Sequence, residues 1–327
     1  MRTNFFLSPK LWAACGAAFL LLFPFFISAG VERFFLHLAT LILLWTMLCL
    51  SLNLIFGHAG QLSLAQGGMF GTGAYVAGIL AGQYGVNFWL GFGGGGCAAG
   101  LLGLIIGIPS LRLRGPYFVI VTMGFNIILV SVIENLSGLT GGVSGLIGIP
   151  SPSKIGNVSF ESKINLYYLI LIILFIFWLI VYRIKNSRMG ICLNAIKQDE
   201  DLCRSVGINT MWMKLQTFIV SSILAGLGGA LYGSFLGIIT PRDASFHLGF
   251  DALVFLIVGG IGTNMGTIIG PTIMVIISEL TQSIVQTGLL VNGLALILLL
   301  LFMPKGLVGV FGYIKKRILL HNSISER

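Results

Sequence analysis

The chain has 327 residues, of which 56% are hydrophobic and only 9% are charged, and its mean hydropathy is +0.99. Soluble proteins carry about 25% charged residues, so this composition excludes a water-soluble domain and indicates an integral membrane protein. The formal net charge of +9 is not evidence for nucleic-acid binding, because the distribution of the basic residues indicates membrane topology instead.

Long apolar runs predict membrane-spanning helices. The run from Leu166 to Tyr182 is too continuous for the alternating strands of a barrel. A helix needs about 20 apolar residues to cross the hydrocarbon core. We therefore predict an all-α helical bundle of about ten transmembrane helices (eight to ten), as a single membrane domain over residues 1–327. The expected spans, each within about three residues, are 11–29, 34–56, 63–82, 87–108, 117–134, 166–183, 214–238, 250–264, 267–286 and 288–303.

The first expected span resembles a signal peptide, because Arg2 and Lys10 precede an apolar run. That run is longer than the usual hydrophobic region of a signal peptide and lacks an A-x-A cleavage site. We expect it to be retained as a membrane span.

Charge distribution predicts the orientation of the bundle. With the N-terminus in the cytoplasm, fifteen Lys and Arg residues fall on the cytoplasmic side and four on the other. This positive-inside bias places both termini in the cytoplasm and requires an even number of spans. It also predicts an extracytoplasmic loop over 134–165, a cytoplasmic loop over 184–213 and a basic cytoplasmic tail over 304–327.

The segment GHAGQLSLAQGGMFGTGAYVAG, residues 57–78, is rich in glycine and amide side chains. It is not a phosphate-binding loop, because it contains no lysine and no soluble βα unit surrounds it. Small residues four apart let helices approach closely, which predicts packing roles for Gly67, Gly71, Gly78 and Gly82. Polar side chains of the same span are predicted to face a solute path: Gln61, Ser63, Gln66, Thr72 and Tyr75.

Two further polar residues, Thr122 and Asn126, lie one turn apart in the fifth expected span. Polar groups inside a membrane tend to face the bundle interior or a water-filled path. The pattern therefore leaves two readings open: hydrogen bonding between helices, or part of the solute path.

The cytoplasmic loop contains NAIKQDEDLCRSVGIN, which predicts a helix over about 194–208. Apolar residues recur at helical spacing and would form one face. The pairs Lys197–Asp201 and Glu200–Arg204 would support the other face, and Gly207 would end the helix. Spacing alone does not decide between a surface helix and a helix that docks on a partner. The predicted apolar face comprises Ala195, Ile196, Leu202, Cys203 and Val206.

Motifs for enzymatic chemistry are missing from the sequence. It contains no Gly-Lys pair and hence no P-loop, and neither HExxH nor GxSxG occurs. The five cysteines have no metal-like spacing. We predict a chain that is not an enzyme and that has no cofactor, metal site or disulfide.

Several ordered blocks resemble one family, the permease subunits of branched-chain (hydrophobic) amino acid ABC importers, a subfamily that also includes urea-type permeases. The blocks are Leu50–Leu80, Pro109–Phe125, Leu139–Pro150, Ala195–Asn209, Leu224–Gly233, Val258–Pro271 and Phe302–Leu307. In two places the chain departs from the family pattern: Cys203 and Arg204 replace small or acidic residues, and Asn126 replaces a glutamate of many relatives.

The resemblance implies a function and partners. The chain would provide the translocation pathway for branched-chain or other small neutral amino acids, with urea or short amides as alternative solutes. It would work in the bacterial inner membrane with a second similar permease, two cytoplasmic ATP-binding subunits and an extracytoplasmic solute-binding protein. A stand-alone secondary transporter or channel is the alternative of another class. The residues that would couple to the ATPase are Ala195, Ile196, Asp199, Glu200, Leu202 and Gly207.

Overall fold

The computed structural model describes residues 32–156 and 158–282, and these are predominantly helical. The helices are α1 (Glu32–Leu52), α2 (Gln66–Gly78), α3 (Phe88–Ser110), α4 (Pro116–Asn135), α5 (Ser137–Thr140), α6 (Lys163–Lys185), α7 (Arg188–Gln198), α8 (Glu200–Ser205), α9 (Thr210–Leu236), α10 (Phe246–Gly259) and α11 (Gly266–Gln282). Helices α1 and α2 continue as π-helical stretches, Asn53–His58 and Ile79–Gln83. Short 3-10 turns cover Gly142–Ser144 and Pro241–Ala244.

Within the described residues, five helices are long and apolar enough to cross a membrane: Phe34–His58, α3, α4, α6 and α9. Helix α10 and the stretch Gly266–Glu279 of α11 are shorter apolar helices. A helix occupies most of the described part of each of the eight expected spans from 34–56 to 267–286, of which residues 283–286 lie outside the described residues. The expected spans 11–29 and 288–303 and the tail 304–327 lie outside the described residues, so the ten-helix total and the position of the termini stay predictions.

A small β-pair departs from the all-α expectation. Strand β1 (Leu146–Ile147) pairs antiparallel with β2 (Ile238–Ile239), in the register Leu146 to Ile239. The loop between α5 and α6 is rich in glycine and proline and cannot continue a helix, so its backbone groups find partners in another extended segment. The pair fixes this loop to the end of α9.

Contacts between connections define two ends of the bundle. At one end, which we name the inner end, Lys197 contacts Gly57 and Arg114 contacts Asp201. At the opposite, outer end, β1 and β2 pair and Gln83 Nε2 donates to the Leu139 carbonyl at 2.8 Å. Connections expected on the same side of the membrane therefore meet at the same end of the molecule.

Helix α2 packs between α3 and α9, and its backbone contacts the backbones of both helices. A Cβ atom built on Gly73 would overlap Gly226 of α9, and one built on Gly95 of α3 would lie 2.6 Å from the Gly73 carbonyl oxygen. Backbones this close exclude any side chain. The sequence pattern did not single out Gly73. A Cβ built there would nevertheless lie closer to the backbone of α9 than one built on any of the four predicted packing glycines.

The four glycines predicted to pack helices differ in their surroundings. A Cβ on Gly67 would overlap the Ser245 carbonyl oxygen, and one on Gly71 would overlap Ala244. On Gly78 it would lie 2.8 Å from Leu146 Cδ2. Gly82 is exposed, and a Cβ there would lie 3.6 Å from its nearest neighbour, the Gly148 carbonyl oxygen. Spacing identified three positions with tight neighbours. It could not show that Gly82, four residues beyond the end of α2, has no segment packed closely against it.

Helix α4 is the most loosely packed of the five long helices. In the apolar 18-residue stretch of α4 only 22% is buried inside the bundle, against 61% in the corresponding stretch of α9. The buried residues of α4 lie mainly along one stripe, and they are Phe118, Thr122, Asn126 and Ile133. The polar pair of the fifth expected span therefore faces the bundle, while most of α4 faces outward.

Candidate functional site

The inner end carries a unit of two helices, α7 and α8, which we call the inner loop unit. The sequence predicted a single helix over about 194–208, but the chain breaks at Asp199, where φ is −152° and ψ is 106°. The Asp199 side chain accepts a hydrogen bond from the Leu202 amide at 2.9 Å and caps α8. Aspartate is a strong N-cap residue because its carboxylate pairs with a free amide of the first turn, so capping outweighs helix continuity at this position.

Gly207 follows α8 with φ at +85°, a left-handed conformation that favours glycine. The Gly207 amide donates to the Arg204 carbonyl, and the Ile208 amide donates to the Cys203 carbonyl, both at 3.0 Å. This is the hydrogen-bond pattern of a Schellman motif. Gly207 thus ends α8 and directs the chain back toward α9.

The break separates the predicted apolar face into inward and outward parts. Ile196 and Cys203 are buried, and Ala195 is half-buried. Leu202 and Val206 are 63% and 70% exposed. The inward residues attach the unit to the bundle, and the outward ones form an exposed apolar surface at the inner end.

Glu200 is the centre of an ion-pair cluster and does not project toward a partner. Its carboxylate accepts hydrogen bonds from Lys214 Nζ at 2.6 Å, Arg204 at 2.8 Å and the Thr210 hydroxyl at 3.1 Å. Lys214, the fifth residue of α9, is buried, with its side chain 2% exposed. Since a buried ammonium group is costly without a counter-charge, the main role of Glu200 in this geometry is to neutralise Lys214.

Asp201 pairs with Arg114 and not with Lys197 as predicted. The Arg114 guanidinium makes two hydrogen bonds to this carboxylate, of 3.0 and 2.6 Å. Lys197 instead donates to the Gly57 carbonyl at 2.8 Å. The two rearranged contacts attach the inner loop unit to the connection before α4 and to the end of α1.

The pKa of Glu200 follows from these contacts. Burial acts to raise it, but the hydrogen bond and charge of Lys214, with Thr210 and Arg204, outweigh burial and lower the pKa below its ordinary value of 4.5. A carboxyl group with a lowered folded-state pKa stabilises the fold above its unfolded pKa, and that contribution is lost as pH falls through the folded value.

We therefore expect the thermal midpoint to fall more steeply below pH 4.5 in the unmodified protein than in Glu200→Gln. At neutral pH the unmodified protein should be the more stable of the two, because glutamine cannot neutralise Lys214. Thermal unfolding of the detergent-solubilised protein between pH 3 and 7 measures this difference. Parallel pH curves for the two proteins would contradict the assigned role of Glu200.

The predicted path residues of α2 and α4 do not line one continuous surface. Asn126 Nδ2 donates to the Leu64 carbonyl at 3.1 Å, and Thr122 Oγ1 accepts from the Leu64 amide at 3.3 Å. Gln66 lies on another side of α2, where its Nε2 donates to Ser221 Oγ at 2.8 Å. Ser221 in turn donates to the Ser51 carbonyl at 2.6 Å.

The remaining predicted path residues make local contacts. Thr72 Oγ1 donates to the Gly68 carbonyl, Ser63 Oγ accepts from the Ala65 amide, and the Tyr75 hydroxyl lies 3.5 Å from the Ile239 carbonyl oxygen. Gln61 is half-buried and lines a cleft of about 370 Å³ together with the start of α4. Thr122 and Asn126 thus meet near the start of α2, and Tyr75 lies near the outer end.

Three buried amide oxygens have no hydrogen-bond donor in the described part of the chain, Gln66 Oε1, Asn126 Oδ1 and Asn264 Oδ1, and the first two belong to predicted path residues. Both side chains are at most 2% exposed. Leaving a buried acceptor unpaired is costly, so these atoms are available to accept a hydrogen bond from a solute or from water. They are the chemical features of the inner half that best suit a polar path.

Sequence patterns missed Lys214, Arg114 and Thr210, the partners of Glu200 and Asp201. Lys214 carried a usable signal, because a lysine near the start of an apolar helix requires a partner when it is buried. Arg114 lies about 86 residues before its carboxylate neighbours in the chain, and no local pattern connects them. Among the described residues, no group of three His, Cys, Asp or Glu side chains could hold a metal ion.

Comparisons with known proteins agree with this architecture. Residues 34–303 match the family model described as the branched-chain amino acid transport system / permease component. No solved structure matches the chain significantly.

Curated relatives extend over most of the chain. The chain is 29% identical over 307 residues to the high-affinity branched-chain amino acid transport system permease protein LivM of Escherichia coli, covering 87% of this chain and 71% of the relative. It is 28% identical over 286 residues to LivH of the same organism, covering 81% and 91%. A probable LivM of Methanocaldococcus jannaschii is 24% identical over 327 residues, covering 84% and 94%. The chain therefore belongs to the permease component family of branched-chain amino acid transport systems.

Proposed function

We propose that the chain is the membrane permease subunit of an ATP-driven importer for branched-chain or other small neutral amino acids. The family match over residues 34–303 is the observation that carries this proposal. The relatives are described as transport permease proteins. Since the sequence has no P-loop, ATP would be hydrolysed by separate subunits.

The same comparisons support a second permease as a partner. The chain resembles both LivM and LivH, two different permease proteins with the same system description. We propose that it pairs with a second, similar permease to form a heterodimer. Two ATP-binding subunits would bind at the cytoplasmic side and a solute-binding protein at the outer side, with the complex in the bacterial inner membrane and both termini in the cytoplasm.

The inner loop unit is the proposed contact with the ATP-binding subunits. Its exposed residues Leu202 and Val206 lie beside an ion-pair cluster that attaches the unit to α9 and to the connection before α4. A surface of this kind can transmit motion because it is attached to membrane helix α9 and to the connection between α3 and α4. Ala195, Ile196 and Glu200 would support this surface from within, and Asp199 and Gly207 would fix the two ends of α8.

We expect Leu202→Asp combined with Val206→Asp to reduce recovery of the ATP-binding subunits with the chain. Both side chains are exposed, so the fold should be retained, whereas two carboxylates would be desolvated on docking. Val158→Asp is the matched control, because Val158 is 50% exposed and belongs to the loop at the outer end. Equal recovery of the ATP-binding subunits by the unmodified protein, the double variant and the control variant would exclude this docking surface.

We propose that the translocation path runs beside α2 and α4. Its candidate lining residues, which contact different neighbours in this structure, are Gln61, Ser63, Gln66, Thr72, Tyr75, Thr122 and Asn126. The deciding experiment is uptake of radiolabelled leucine and urea by proteoliposomes containing the complex with its binding protein. We expect leucine uptake that requires ATP hydrolysis. Uptake of urea alone would change the assigned solute, and uptake by the isolated chain without nucleotide would indicate a stand-alone transporter.

A further inference from the structure

The connection between α1 and α2, residues 59–65, follows the π-helical end of α1, and the inner loop unit contacts both that end and the connection. Lys197 Nζ donates to the Gly57 carbonyl at 2.8 Å. The aliphatic part of Lys197 lies over Gly60, where a built Cβ would be 2.9 Å from Lys197 Cγ. Gly60 has φ at +70°, so the chain turns sharply under this side chain.

The far end of the same connection is attached to α4. Thr122 accepts the hydrogen bond of the Leu64 amide, and Asn126 donates to the Leu64 carbonyl. Both backbone polar groups of one residue are thus held by side chains one turn apart on the most loosely packed long helix. The connection therefore links the inner loop unit to the helix that carries the proposed path residues.

Between these two attachments the connection has free space beside it. The cleft of about 370 Å³ is lined on one side by Gly60, Gln61 and Leu62, and on the other by the start of α4, at Gly115, Pro116, Val119 and Ile120. The middle of the connection can move within this volume without displacing a packed helix. Asn126 Oδ1 has no donor among the described residues, so a shifted connection could gain a second hydrogen bond there.

We propose that Lys197 is a positioning residue for transport, which holds the α1–α2 connection as a gate at the inner end of the path. This inference rests on the proposed importer function. Motion of α7 on ATP binding moves the Gly57 carbonyl through Lys197, and the connection then opens or closes the cleft against α4. In the described part of the chain Lys197 makes no ion pair, so its contact with a neutral carbonyl can break and reform as the unit moves.

The test uses the complete complex with all native cysteines replaced and one reporter, Leu62→Cys. The rate of labelling by a membrane-impermeant maleimide is measured from the cytoplasmic side, without nucleotide and after trapping with ATP and vanadate. We expect the two rates to differ by about fivefold or more, as for an allosteric coupling. Ile120→Cys, on the opposite wall of the cleft and 66% exposed, is the second reporter if Leu62→Cys does not assemble.

Lys197→Ala should abolish the nucleotide dependence of labelling in a complex that still assembles, because Lys197 is an exposed residue. Arg188→Ala is the matched control: Arg188 is an exposed basic residue of the same helix, and it should leave the dependence unchanged. Equal labelling rates in the two nucleotide states, or a dependence that survives Lys197→Ala, would overturn the inference. ATP-driven uptake by the unmodified complex is measured in parallel, so failure of the gate is distinguished from failure of the importer function.

Discussion

Replacing Gly71 by leucine is expected to destabilise the protein by about 3 kcal/mol or more, which is the upper range for overpacking a tight contact. A Cβ at this position would overlap the backbone and side chain of Ala244 in the turn before α10. The nearest atoms are Cβ and Cα of Ala244, which are fixed by the main chain and cannot rotate away as the end of a flexible side chain can. The loss should appear as a lower thermal midpoint and a lower yield of the assembled complex.

The control for this substitution is Gly82→Leu, the same change in the π-helical continuation of α2. Gly82 is exposed, and a Cβ there would make only ordinary contacts of 3.6 Å or more. We expect a stability change within about 0.5 kcal/mol, as for most surface substitutions. ATP binding by the separate subunits should be the same for both variants. Normal uptake and stability of Gly71→Leu would refute the proposed close packing between α2 and Ala244.

Glu200→Ala is expected to cost about 3 kcal/mol, because it leaves the ammonium group of Lys214 buried without its carboxylate. This is the lower end of the range for breaking a buried ion pair, since the Glu200 side chain is 14% exposed and solvent can partly compensate. Chemical denaturation of the detergent-solubilised protein measures the change. The effect should be much larger than that of Asp201→Ala, which removes an exposed pair with Arg114.

A double substitution tests the cause of this loss. Glu200→Leu combined with Lys214→Met removes both charges and fills the space with apolar groups, an exchange that is often neutral or stabilising for buried pairs. We expect the double variant to be more stable than Glu200→Ala. If the double variant were as unstable as the single one, the loss would come from packing and not from the uncompensated charge.

The helices were largely predictable because each apolar run is long enough to require burial or a membrane. Helix α6, over Lys163–Lys185, illustrates this: its continuous apolar sequence allows no other regular structure in lipid. The inner loop unit was less predictable. Local i,i+4 pairing favoured one helix, but the sequence could not show that Arg114 competes for Asp201 or that Gly57 accepts from Lys197.

The candidate site shows the same division between local and long-range information. The stop at Gly207 is encoded locally, and the structure has the corresponding left-handed glycine. Thr122 and Asn126 were recognisable as polar residues within a span, but their shared partner is the backbone of Leu64, which no side-chain pattern reveals. Close packing at Gly71 and open space at Gly82 likewise depend on which segments pass nearby, and residue spacing carries no such information.

Helix α9 has a consequence for communication between the two faces of the membrane. Its 27 residues make a rod about 40 Å long at 1.5 Å per residue. Lys214 joins one end of this rod to the charge cluster, and β2 directly beyond the other end joins it to the outer loop through β1. A tilt of α9 imposed at the inner end would therefore displace the outer loop, and a protein that binds the outer loop would in turn tilt α9 at the inner end.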